Sequence, residues 1–187
     1  QAGARWGLIG AFLFHWTAVR AQIPFTCEDQ FFLTLTANPP SLNEVLIDPQ
    51  TSDVVFQTIN SNLSIAVNAA GYRSVDNFIY SIDPITRDLV RLDAVGNAQV
   101  LANLQLSPLL SYFAGDVSPD GRYLVIIGTI NFTLGFSSAA ELVKIDLEDP
   151  NFGTTTQQLT TTALIFDIAF HPETEELYGY DSNGQRV

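Results

Sequence analysis

The 187-residue chain has no methionine, a single cysteine, two histidines and only eight basic residues. One cysteine excludes an internal disulfide framework. Cys27 therefore reads either as a semi-buried thiol near the start of the first repeat or as half of a pair completed outside these residues. Pro24-Phe25-Thr26 offers no small residue ahead of it, which argues against a lipid-modified cysteine. His15 and His171 are too few for a serine triad or a histidine-rich zinc site, and no Gly-rich phosphate loop, HExxH pattern or cysteine pair is present. No catalytic or cofactor-binding residue is assigned, and the chain reads as a binding module more than as an enzyme. Twenty acidic residues give a net charge of −12 and a pI near 4.2, which disfavours nucleic acid and anionic membranes as partners. With 15% charged residues there is little material for long amphipathic helices, whereas 47% apolar content argues against disorder.

What the chain does have is a pattern stated three times: a short apolar strand ending in an acid, a polar turn, and a second strand. Val45-Leu46-Ile47-Asp48, Leu89-Val90-Arg91-Leu92-Asp93 and Leu142-Val143-Lys144-Ile145-Asp146 place those aspartates 45 and 53 residues apart. A second set of markers keeps step: Asn68 before Gly71-Tyr72, Asp116 before Pro119-Asp120-Gly121, and Asp167 before His171-Pro172, at separations of 48 and 51. Short strands at a period of roughly 40–50 residues predict β-propeller blades, four-stranded antiparallel sheets that bury their faces against one another. The fold class expected is all-β, with about three such blades of an incomplete propeller. Asp48-Pro49 and Asp83-Pro84 are expected to be turn chemistry, the carboxylate bonding back to the main chain.

Arg5, the apolar stretch Trp6 to Phe14, and Val19-Arg20-Ala21 have the form of an export signal cleaved before Gln22. The apolar run is shorter than the ~20 residues of a spanning helix. Cleavage would remove Arg5 and Arg20 and no acid, changing the net charge from −12 to −14. The expected organisation is a signal peptide at 1–21, a lead-in segment at 22–41 with Phe31 to Thr36 extended, and a partial propeller at 42–187 continuing beyond the fragment.

Val67-Asn68-Ala69-Ala70-Gly71-Tyr72, Asp76-Asn77-Phe78-Ile79-Tyr80, Ala114-Gly115-Asp116-Val117-Ser118-Pro119-Asp120-Gly121 and Asp167-Ile168-Ala169-Phe170-His171-Pro172 resemble the repeats of a propeller-like domain of unknown function found in exported bacterial proteins. Asn77 stands where that pattern has a turn glycine. The resemblance implies a secreted or cell-surface module, often beside adhesive or sorting domains, and carries over no catalytic residue.

Asp116, Asp120, Asp167, Asp181 and Asn183 fall at blade turns, and a hard cation takes six to eight oxygens of this kind. Asp116, Asp167 and Asp181 are thus the candidate Ca²⁺ ligands, although Asp181-Ser182-Asn183-Gly184 lacks the third acidic position and the distal glutamate of a calcium loop. The competing expectation is structural: Asn68, Asp116 and Asp167 bond blade backbone to the neighbouring blade. Asn62-Leu63-Ser64 and Asn131-Phe132-Thr133 match glycosylation sequons, incidental in a bacterial protein. Two functions follow: a non-catalytic extracellular module for scaffolding, adhesion or recognition of a protein or glycan ligand, joined to further blades or domains of its parent chain, or a calcium-dependent hydrolase of lactonase type.

Overall fold

The computed structural model describes residues 21–26, 31–130, 138–160 and 163–181. Cys27, His15, Asn183, the second sequon and all but the last residue of the signal segment lie outside the described residues. Every described element is a strand. Sheet 1 is β1 (Phe31–Leu35), β2 (Ser41–Ile47) and β3 (Val54–Asn60). Sheet 2 is β4 (Asn68–Arg73), β5 (Phe78–Ile82), β6 (Asp88–Leu92) and β7 (Ala98–Asn103), and sheet 3 is β8 (Leu110–Val117), β9 (Tyr123–Ile130), β10 (Ala139–Asp146) and β11 (Thr154–Gln158). Sheet 4 is the pair β12 (Ile165–Phe170) and β13 (Leu177–Asp181). All pairings are antiparallel between sequence neighbours, so each sheet is a meander closed by local turns. Because β1 is hydrogen-bonded to β2 throughout its length, the first sheet includes Phe31–Leu35, ahead of the start at residue 42 expected from the repeat pattern.

The recurring aspartates explain the turns. Asp48 follows β2, Asp93 follows β6 and Asp146 ends β10, and each accepts, through Oδ1, the backbone N–H two residues ahead, from Gln50 (2.7 Å), Val95 (3.1 Å) and Glu148 (3.0 Å). Asp83 does the same with Ile85 at 2.7 Å. This short-range bond gives the chain a ready-made reversal after each strand. At the β4–β5 turn Asn77 sits at φ 60°, a left-handed conformation asparagine tolerates, which is why it can replace glycine there. Its Oδ1 also accepts the Tyr72 hydroxyl at 2.6 Å.

The sheets stack face to face. The middle strands are apolar on both sides, without the alternation of a half-buried strand. In β9, Leu124 and Ile126 pack towards sheet 2 with Ile82, Leu89, Val143 and Ile145, while Val125 and Ile127 pack towards sheet 4 with Ile165 and Ile168. Sheet 1 meets sheet 2 through Leu42, Val67, Val90 and Leu92. Each fully buried aliphatic side chain contributes about 1.5–3 kcal/mol. The outer strands β3 and β11 are mainly exposed.

Residues 22–25 cross one end of sheet 2 as a strap. Gln22 Nε2 donates to the carbonyls of Arg91 (3.1 Å) and Asn97 (3.0 Å), and its Oε1 accepts Arg91 Nε at 2.6 Å. Ile23 N donates to Asp93 Oδ2 at 3.1 Å, and Phe25 inserts between sheets 1 and 2 against Phe32, with ring centroids 4.5 Å apart.

Candidate functional site

The first strands of sheets 2, 3 and 4 lie side by side and carry the repeat's polar markers. Their approach is close because β4 and β8 meet at glycines. An added Cβ at Gly71 would stand 2.7 Å from the Asp116 carbonyl carbon and closer still to Val117 N, and one at Gly115 would stand 2.5 Å from Ala69 O. Asn68, Asp116 and Asp167 share one local bond: the side-chain Oδ1 accepts the next residue's N–H, from Ala69 (2.9 Å), Val117 (2.8 Å) and Ile168 (2.9 Å). They do not share a rung. The β4–β5 and β12–β13 ladders shift register just after Asn68 and around Asp167, whereas in β8 the shift falls between Tyr112 and Ala114, ahead of Asp116.

Asp116 also bonds to another sheet: its Oδ2 accepts Phe170 N at 2.8 Å. Burial pushes its carboxyl above the ordinary aspartate value of 3.8; the two backbone donors oppose that rise and the charge of Asp167 adds to it. Asp181, on β13, is buried and accepts Leu164 N at 3.1 Å. As a calcium set these three fit poorly. Both Asp116 oxygens and one oxygen each of Asp167 and Asp181 already serve backbone donors, and among the described residues no three acidic, histidine or cysteine side chains converge as ligands.

Asp116→Ala is expected to strand the Val117 and Phe170 amides and cost about 2–3 kcal/mol, read as a lower melting temperature. The pH sign is also fixed. A folded-state pKa above the unfolded one makes the fold bind more protons, so this group stabilises progressively as pH falls from neutral through its folded pKa towards 3.8. The stability gap between wild type and Asp116→Asn should therefore widen on acidification; a gap that narrows would refute the burial of this carboxylate.

A cleft of about 240 Å³ opens where the β8–β9 turn of sheet 3 meets sheet 4, lined by Ser118, Asp120, Tyr123, Lys144, Phe170 and Glu175 among others. The turn is closed by Gly121 (φ +75°), whose N–H donates to Ser118 O at 2.7 Å. Ser118 Oγ donates to Asp120 Oδ1 at 2.5 Å, and this hydroxyl, with the Arg122 N–H, holds the Asp120 carboxyl below its usual range. Tyr123 lies between two cations, Lys144 Nζ 4.4 Å and Arg122 Cζ 5.0 Å from its ring centroid, while Arg122 also pairs with Asp146 at 2.9 Å. The cleft thus sets an aromatic, an ammonium and two carboxylates side by side, suited to a polar ligand.

Asp120 and Gly121, expected as repeat markers at a blade turn, build this cleft's turn. Tyr123, Lys144, Phe170 and Glu175 were not singled out in the sequence, because the sheets that bring them together are about 50 residues apart in the chain. His171 and Pro172 occupy the exposed β12–β13 turn, where His171 Nδ1 accepts the Glu173 (3.3 Å) and Thr174 (3.2 Å) amides. Tyr72 is half-buried against the sheet 1–sheet 2 core.

Successive antiparallel sheets with adjacent first strands define a β-propeller-like repeat protein. The chain belongs to the family described as Repeat of unknown function (DUF6923), whose model matches residues 32–187. Among solved structures it is similar to a structural genomics protein of unknown function from Bacteroides thetaiotaomicron, with TM-score 0.57 at 10% identity, covering 89% of this chain and 44% of that one. It is also similar to a chain of a nidogen/laminin complex, with TM-score 0.51 at 13% identity, covering 81% and 52%. At these identities the likeness concerns the fold. The chain spans about half the length of these structures. No curated protein matches it.

Proposed function

We propose that the chain is a non-catalytic β-propeller module of an exported, surface-displayed bacterial protein, which holds a protein or glycan ligand in the cleft between sheets 3 and 4. The observation that carries this reading is the cleft's composition: Lys144, Asp120 and Glu175 offer both signs of charge around the Tyr123 ring. Loops at one end of stacked sheets are the usual ligand-binding surface of such scaffolds. The export-signal pattern of residues 1–21 supports an extracellular setting.

The expected result is an exported product beginning at Gln22 that binds a member of an extracellular protein and glycan panel. Lys144→Ala should weaken that binding roughly 10–100-fold, the loss of a charged hydrogen bond, without lowering the melting temperature. Absence of binding across the panel, or unchanged affinity in the variant, overturns the reading. The lactonase-type alternative requires several carboxylates converging on one Ca²⁺, whereas Asp116, Asp167 and Asp181 each hold backbone amides. Chelator-sensitive turnover of lactones or phosphotriesters would reinstate it.

A further inference from the structure

An arginine fills the turn end of the seam between sheets 2 and 3. Arg73 stands just before the β4–β5 turn, opposite Phe78, and its side chain crosses to sheet 3, where Nε donates to Gly121 O at 2.6 Å. Two carboxylates and a ring surround it: Asp76 at 2.6 Å, Glu148 at 4.0 Å, and Tyr80, whose ring centroid is 6.0 Å from Cζ. Ser118 holds the same place before the β8–β9 turn, opposite Tyr123. Its side chain is too short to cross to sheet 4, and the cleft of about 240 Å³ lies in the corresponding position of that seam. The acceptors are still there. Asp120 and Glu175 line the cleft with the Tyr123 and Phe170 rings, and among the described residues neither carboxylate belongs to an ion pair. The bonds that Asp120 accepts from Ser118 Oγ and Arg122 N both fall on Oδ1, so Oδ2 is available to a ligand.

We infer that the cleft receives an arginine side chain of a protein partner, its guanidinium set between Asp120 and Glu175 and its flat face against an aromatic ring. This rests on the reading of the cleft as the ligand site, and it selects a protein over a glycan. The molecule's own arginines show the surroundings a guanidinium takes here. Arg122 meets Asp146 through Nε at 3.2 Å and Nη2 at 2.9 Å beside the Tyr123 ring, and Arg91 lies 4.5 Å from the Phe78 ring centroid. A planar fork matches carboxylate oxygens and stacks on rings in a way an ammonium does not, which favours arginine over lysine. Two carboxylates against the single Lys144 ammonium make the cleft favour a cation, as does the net charge of −12. Lys144 is left for a main-chain carbonyl beside that arginine. The volume sets the scale of the occupant: sites that enclose a whole small molecule measure roughly 300–1,000 Å³, whereas this cleft suits one side chain of something larger.

Titration of the full 187-residue chain with Nα-acetylarginine amide, followed by NMR, tests this. Binding with a dissociation constant of about 1 mM is expected, with shifts centred on the amides from Ser118 to Tyr123 and on Glu175. The lysine analogue should bind about 10-fold more weakly, and the uncharged citrulline analogue should not bind. Asp120→Asn and Glu175→Gln should each weaken arginine binding about 10-fold or more with circular dichroism unchanged. Ser118→Arg, which sets a guanidinium in the cleft from within, should abolish it. Equal binding of arginine and either analogue, or of wild type and Asp120→Asn, overturns the proposal. The extracellular panel separates this failure from that of the underlying reading. A panel member held through Lys144 while the arginine amide is ignored overturns the arginine site alone, and binding of neither overturns both.

Discussion

Gly71→Ala is expected to destabilise the protein by about 3 kcal/mol, near the upper end for adding one methyl group to a packed interior, and to lower its melting temperature by roughly 6–12 °C. The methyl has nowhere to go: its neighbours are the backbone of Asp116 and Val117, fixed by the β8–β9 ladder, so β4 and β8 must separate. Separation opens the contact of sheets 2 and 3, where Ile82, Leu89, Leu124 and Ile126 are buried. Gly115→Ala approaches the same seam from the other side, against Ala69, and should have a similar effect. Since both changes force one gap, the double variant should lose less than the sum. Gly179→Ala is the control: its Cβ would meet only the Ile165 and Ile168 methyl groups at 3.3 Å and 3.5 Å, for a cost under about 1 kcal/mol. Thermal melts of the four variants decide it, and equal melting of Gly71→Ala and Gly179→Ala would exclude the close approach.

Arg73→Met should cost about 3 kcal/mol, because it strands a charge that the fold has enclosed. Arg73 is 9% exposed and ties sheet 2 to sheet 3: its Nε donates to Gly121 O at 2.6 Å and its Nη1 to Asp76 Oδ2 at 2.6 Å. Tyr80 donates its hydroxyl to the same carboxylate oxygen at 2.8 Å. Burial works against the guanidinium charge, and the Asp76 carboxylate outweighs it, holding Arg73 above its usual pKa. Removing Arg73 leaves the Asp76 carboxylate without its cation, held by the Tyr80 hydroxyl. The Arg73→Met/Asp76→Leu pair should recover part of the loss, since a shielded ion pair replaced on both sides is close to neutral. Denaturant titration of both variants measures this; equal losses would mean that the ion pair is not coupled.

These effects differ in how far the sequence announces them. The turns after Asp48, Asp93 and Asp146 were legible, because each depends on a carboxylate and an amide two residues apart and so needs no tertiary context. Once turns and apolar strands recur at one period, stacked four-stranded sheets follow. The equivalence of Asn68, Asp116 and Asp167 was only partly legible: their spacing suggested one structural position, but Asn68 pairs with Ile82 at the far end of its hairpin, Asp116 with Val125 beside its turn, and Asp167 falls within the β12 register shift. A bulge is a property of the ladder and leaves no fixed residue behind. The cleft around Tyr123 was not legible, since Lys144 arrives from β10 and Phe170 and Glu175 from sheet 4. The tight seam at Gly71 and Gly115 was half visible, as glycines within strand patterns, with the partner that requires them out of sight.

The strap over sheet 2 has a consequence for the order of assembly. Each sheet is a meander whose contacts close over a few residues, whereas Gln22 and Ile23 bond to residues about 70 positions ahead. Their acceptors, the Asp93 carboxylate and the carbonyls of Arg91 and Asn97, are in place only after the β6–β7 hairpin exists. The start of the described chain is therefore among the last parts to dock, after the loop joining it to sheet 2 has lost its freedom. Bonds made so late are absent from the folding transition state. Weakening the strap should accordingly hasten unfolding and leave the folding rate almost untouched, making these few residues a latch on the lifetime of the folded state.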